Sequence, residues 1–256
     1  YYVTAIYLVL YQFLTASQPR HRLGLGLLVI VNIAFLIATA SRGGFLTFIA
    51  AGVLFLWMFR NELGAARVAG VVSGGAIALV LVGALIVNYT DFGGLFERLA
   101  ETEVQEGIPD TRQRVWPAAW KEIQNNPVLG HGPRLRFPGE EDGQRYKGHV
   151  YIQYPHNLYL FLLFTVGAIG LVAFLAFFLT PMRRCWQVGF QRGIDPYAAG
   201  LAKTGVVVLV GILIDQMKVE FLRINMTDYW HYVFALLGML VAVCDRGRES
   251  TRPQPV

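Results

Sequence analysis

From Asn157 to Thr180 the chain runs through twenty-four residues without one charged side chain. A helix crosses the hydrocarbon core of a bilayer in about 20 residues, so a stretch this long and apolar is the signature of a membrane span. Similar runs, long enough or nearly so, lie at Tyr1–Ala16, Leu23–Ala40, Gly43–Met58, Ala66–Asn88, Ala198–Leu222 and Met226–Cys244. The expected fold is therefore all-α: a polytopic membrane protein with about seven transmembrane helices in this chain and one long external loop containing short helices. Composition agrees, because 15% charged residues falls well below the roughly 25% of soluble domains. The chain opens on Tyr1 inside an apolar run, without an initiator Met, a basic n-region or a cleavage site. It is expected to be the C-terminal part of a longer protein.

The formal charge of +5 does not imply nucleic acid, because the basic residues are scattered through short connectors. If the helices alternate, Arg20 and Arg22, Arg60 and Arg67, Arg183, Arg184 and Arg192, and the tail with Arg246, Arg248 and Arg252 share one side. The positive-inside rule makes that side the cytoplasm. The opposite side then receives the Ser41-Arg42-Gly43 turn, the segment Tyr89 to His156 and the connector near Asn225. Three regions result: residues 1–88 with helices one to four, the periplasmic or extracellular loop 89–156, and residues 157–256 with helices five to seven and a cytoplasmic tail. Cys185 and Cys244 fall on the reducing side, so no disulfide is expected.

Within the loop, DFGGLFERLAETEVQEG reads as a short amphipathic helix at the membrane surface. Next, DTRQRVWPAAWKEIQNNPVLGHG places Trp116, Ala119, Trp120 and Ile123 on one helical face. Pro117 suits a regular helix that starts near Val115, and Asn126-Pro127 ends it. The stretch from Gly130 to Tyr154 is expected to be irregular and mobile until something binds.

Arg42 and His156 both stand at the outer start of a helix, facing the positive end of its dipole. Ser41 and Asn157 suit capping there. Free amides at such ends, joined by an arginine, form a site for an anion such as phosphate. The same field favours a neutral imidazole, which can accept a proton. The plainer alternative makes Arg42 a lipid-phosphate anchor and His156 an interfacial cap. Helix six carries Asp215, Lys218, Glu220 and Arg223 in its outer half, where Asp215–Lys218 and Glu220–Arg223 can pair or line a substrate path. Trp230 and Tyr232 read as an aromatic belt. His131, His149 and His156 lack a helical or hairpin register, so a metal is not expected.

Three elements, SRGGFLTFIAAGVLFLWMF, TRQRVWPAAWKEIQNNPVLGHGP and HNLYLFLLFTVGAIGLVAFL, follow in order across one long loop. In that arrangement the chain resembles the O-antigen ligase and polymerase superfamily. The resemblance implies a membrane glycosyltransferase of the C-type architecture with about twelve spans, of which this chain holds the last seven. It implies a glycan taken from undecaprenyl diphosphate at the periplasmic face of the bacterial inner membrane and passed, in the ligases, to a lipid A core sugar. No metal or nucleotide is used, and the partners are the donor, the acceptor and membrane lipids. Arg42, Arg112 and His156 occupy the functional positions of the matched elements, with Arg114 a neighbour of Arg112. Trp116, Asn157 and Tyr159 in the same elements, and Asp215 and Arg223 beyond them, are the candidate substrate contacts. Pro117 departs from the family, which more often continues the helix there, and bears on how Arg112 and Arg114 are oriented.

The chemistry suits these residues. A lipid diphosphate is a good leaving group, so the need is to stabilise the charge that grows on it, which arginines do. The acceptor hydroxyl loses a proton as it attacks, and a neutral histidine can take it or orient the hydroxyl. Direct displacement inverts the anomeric centre. A polymerase uses the same donor with another lipid-linked glycan as acceptor. A protein O-oligosaccharide ligase often carries a further domain, where this chain has only DRGRESTRPQPV. A secondary transporter would gather its polar residues on broken helices near the bilayer midplane.

Overall fold

Buried backbone amides in an apolar run are satisfied most locally by helix formation, and the described residues are helical almost throughout. The computed structural model describes residues 2–39, 41–64, 68–70, 73–77, 80, 81, 84, 111–132, 145, 146, 149, 150, 155, 157–217 and 227–249. Its helices are α1 (Tyr2–Thr15), α2 (Pro19–Ala38), α3 (Arg42–Met58), α4 (Thr111–Asn125), α5 (Leu158–Phe190), α6 (Pro196–Asp215) and α7 (Thr227–Glu249). Among the described residues three helices, α2, α5 and α6, are long and apolar enough to cross a membrane. Shorter apolar helices include α1 and Val68–Ile77, the latter falling within the fourth apolar run. The amphipathic helix expected over residues 91–107 lies outside the described residues.

Local chemistry sets the ends. Pro19 opens α2 after Gln18, since a first-turn proline gives up no internal bond. Ser41 caps α3, its Oγ accepting from the N–H of Gly44 at 3.1 Å. Asp195 caps α6 ahead of Pro196, with Oδ2 accepting from Ala198 N–H at 2.8 Å. Helix α5 continues past Thr180 and through Pro181, further than its apolar run suggests, because the extension buries Cys185 and Val188 completely. It is broken inside, at Gly167. Helix α4 begins at Thr111 rather than near Val115, with Pro117 inside it. A two-residue antiparallel ladder pairs Arg145 with Val150 and Tyr146 with His149, inside the stretch expected to be irregular.

The chain divides into two compact units, one of Tyr1–Ala100, Thr180–Ile214 and Tyr232–Val256, the other of Glu101–Leu179 and Asp215–His231. In the first, α1 packs on α2 and α3, with Ile6, Ile33, Leu36 and Ile37 closing a core cluster. Helix α6 is buried on most of its surface, whereas α2 turns Leu23, Leu27 and Phe35 outward. Polar groups inside the apolar helices are satisfied at short range: Thr47 and Thr204 donate to Gly43 O and Gly200 O at 2.8 and 2.9 Å. Gly200 lets α1 approach α6, since a Cβ there would stand 2.2 Å from the Tyr11 hydroxyl.

Helix ends pair within this unit. Tyr11, late in α1, donates to Tyr197 O, early in α6, at 2.9 Å. Lys203 of α6 pairs with Glu62, just beyond α3. Cys185, late in α5, lies 3.2 Å sulfur to sulfur from Cys244, late in α7, and both are free thiols. Thr4 and Tyr232, early in α1 and α7, bond through their hydroxyls at 2.5 Å.

Candidate functional site

The second unit builds its site around the start of α5. Asn157 caps that helix, its Oδ1 accepting from Tyr159 N–H at 3.0 Å and Leu160 N–H at 3.2 Å. The N–H of Leu158 donates to Gln216 O at 2.9 Å, and Phe161 N–H to Asn157 O at 3.0 Å. The first amides of α5 are therefore occupied by protein, so the expectation of free amides awaiting an anion at this helix start is corrected. Asn157 and Gln216 are buried, and Tyr159 is half-buried in the first turn. Among the described residues α6 ends at Asp215, and Gln216 directly after it supplies the carbonyl that Leu158 meets. His156 lies outside the described residues, as do Lys218, Glu220 and Arg223, while its neighbours Pro155 and Asn157 are both fixed.

Helix α4 reaches the same place. The indole N–H of Trp116 donates to the carbonyl of Pro155 at 2.7 Å. Two residues four apart share a helical face, and two residues two apart stand about 200° round the axis. Arg112 therefore sits on the face of Trp116 one turn earlier, and Arg114 on another face. Of the four residues expected on one helical face, Ala119 and Ile123 are buried against Phe164, and Trp120 is 52% exposed.

Residues 126–132 follow α4 and are held against α5, whereas 133–144 and 151–154 of the stretch expected to be mobile lie outside the described residues. His131 Nε2 lies 2.8 Å from Glu122 O, and its ring stacks on Phe164 with centroids 4.9 Å apart. Since a carbonyl can only accept, Nε2 carries the proton. This histidine serves the loop.

In the first unit, Arg42 is the opening residue of α3, with Ser41 as its cap. A cavity of about 720 Å³ there is walled by Tyr11, Phe59, Glu62, Phe190, Tyr197 and Lys203. The ammonium of Lys203, a cation within an apolar run, lies 4.8 Å from the Phe190 ring centroid and 5.7 Å from that of Phe59. Reading helix six for charge only in its outer half missed this residue. A cation inside a span is the signal that finds it.

The family model of the O-antigen ligases matches residues 26–175. The chain belongs to the O-antigen ligase family. The match takes in all three sequence elements and with them Arg42, Arg112, Arg114, Trp116, His156, Asn157 and Tyr159, whereas Asp215 and Arg223 lie beyond it. Among curated proteins, the O-antigen ligase of Salmonella typhimurium is 27% identical over 186 residues, which cover 67% of this chain and 42% of that protein. The chain thus spans less than half the length of that relative. Within this O-antigen ligase family chain, the Trp116–Pro155 bond ties the TRxxxW element to the residue directly before HNxYL.

Proposed function

We propose that the protein is an O-antigen ligase that transfers a glycan from undecaprenyl diphosphate to the lipid A core oligosaccharide, at the periplasmic face of the inner membrane. The observation that supports the reading is the Trp116–Pro155 hydrogen bond, which brings the arginine-bearing turn of α4 beside the residue preceding His156 in a chain of the O-antigen ligase family. On this reading Arg42 and Arg112 bind the donor diphosphate and stabilise the charge that develops as the sugar–oxygen bond breaks. His156 takes the proton of the attacking hydroxyl. Attack and departure occur in one displacement, with inversion at the anomeric carbon and no metal. Asn157 caps the helix that follows His156 in sequence, Trp116 and Tyr159 offer ring surface to sugars, and Asp215, Arg114 and Arg223 are the remaining substrate contacts.

The test is transfer by purified protein from a defined lipid-linked donor to lipid A core, without ATP or an ion gradient. Activity that is abolished in His156→Ala and nearly absent in His156→Gln, both well inserted, is the expected result. Full activity of His156→Ala would falsify the role of His156. Transfer only to a second lipid-linked glycan would identify a polymerase.

A further inference from the structure

In an uninterrupted helix the N–H groups of Ala168 and Ile169 would bond to the carbonyls of Phe164 and Thr165, four residues back. At Gly167, with φ 67° and ψ −168°, that ladder is cut. The segment that follows α4 takes its place. Ala168 N–H donates to Pro127 O at 2.8 Å and Ile169 N–H to Val128 O at 3.3 Å, while Phe164 O accepts from His131 N–H at 2.8 Å and Thr165 O from Gly132 N–H at 2.9 Å. Two helix bonds are replaced by four bonds to residues 127–132. Each of those backbone groups is thereby satisfied within the protein.

The fit leaves no latitude. Gly130 has φ 69°, and a Cβ on it would stand 2.6 Å from Gly167 N and 2.7 Å from Thr165 O. A Cβ on Gly167 would stand 2.2 Å from Val128 O. His131 adds a third restraint, stacked on Phe164 and bonded to the Glu122 carbonyl in the last turn of α4. With Trp116 bonded to Pro155 near the other end, α4 runs alongside the first half of α5 and is fastened at both ends.

We propose that this splice is a positioning element for glycan transfer. It sets the height and rotation of α4, and so of Arg112, against Pro155 and Asn157, the residues that flank His156 in sequence. Gly130, Gly167 and His131 are its positioning residues. The proposal rests on the reading that these two elements form the transfer site. The physical reason for needing it is that a one-residue slip of α4 moves a side chain about 1.5 Å along the axis and about 100° round it, whereas a displacement of about 1 Å can cost roughly a hundredfold in rate.

The test uses the full chain in proteoliposomes, with nitroxide labels on Gln124→Cys and Val172→Cys in a Cys185→Ala, Cys244→Ala background. Gly130→Ala should broaden the label-to-label distance distribution and lower kcat about a hundredfold, with KM for the donor little changed. His131→Ala, which leaves all four backbone bonds possible, should lower kcat less, and His131→Gln should recover it by keeping a side-chain donor to Glu122 O. If Gly130→Ala does not fold, the two His131 variants decide. A broadened distance with parental kcat overturns the positioning role, as does a parental rate in His131→Ala. Should the parent use a lipid-linked glycan instead of lipid A core, the same comparison is made with that acceptor, so the acceptor assignment fails separately from the splice.

Discussion

The indole N–H of Trp116 and the carbonyl oxygen of Pro155 are hydrogen-bonded at 2.7 Å across 39 positions of sequence. Indole has one polar hydrogen and no acceptor nitrogen, so the bond uses all the directional capacity Trp116 has. What remains for a substrate is the ring, which is 36% exposed with its residue. Sequence alone assigns Trp116 to substrate contact; the geometry adds the work of a strut.

Trp116→Phe retains ring surface but loses the donor. Transfer rate should fall roughly tenfold, the scale of one buried hydrogen bond expressed as misalignment, and Trp116→Ala should fall further. Initial rates with defined donor and acceptor measure both. A Trp116→Phe variant as active as the parent would mean that the bond to Pro155 carries no weight in catalysis.

The two arginines of α4 should separate. Arg112 shares a helical face with Trp116 and Arg114 does not, so Arg112→Lys should lose most activity through loss of the bidentate fork. Arg114→Lys should lose little. Equal losses in the two variants would show that the helical register does not govern which arginine meets the diphosphate.

Lys203 is 6% exposed and paired with Glu62. Glu62→Gln leaves a buried cation without its counter-charge, whereas Lys203→Met removes the charge and keeps the packing volume. In detergent, Glu62→Gln should lower the unfolding temperature more than Lys203→Met. Because the Glu62 side chain is 48% exposed, the pair tolerates some solvent screening and the difference should be modest, on the order of 1–3 kcal/mol. The reverse order would mean that the hydrocarbon stem of Lys203, and not its charge, is what the site requires.

Cys185 and Cys244 are both fully buried, with sulfurs 3.2 Å apart. A disulfide forms at about 2.05 Å, so a small approach of α5 and α7 suffices. Treatment with a diffusible oxidant should remove both thiols from alkylation while the protein stays monomeric on a non-reducing gel. Thiols that remain titratable under oxidation, and react only after unfolding, would show that packing of the two helices forbids the approach.

The membrane character, the position of most helices and the family were legible in the sequence because they follow from local composition and from short contiguous elements. An apolar run of twenty residues has few ways to satisfy its backbone, and SRGG, TRxxxW and HNxYL are visible as strings. Capping was legible too, at Ser41 and Asn157, since a cap is a contact three residues long. Four features were decided only in three dimensions: that Trp116 holds Pro155, that Gln216 bonds Leu158, that Lys203 finds Glu62, and that residues 127–132 enter the ladder of α5. Each is a pairing between segments far apart in the chain, which no periodicity encodes. Gly130 and Gly167 make the point most plainly. In sequence each is one more glycine, compatible with a loop or with a span. Only their mutual approach, with no room for a Cβ on either, makes glycine the residue that both positions require.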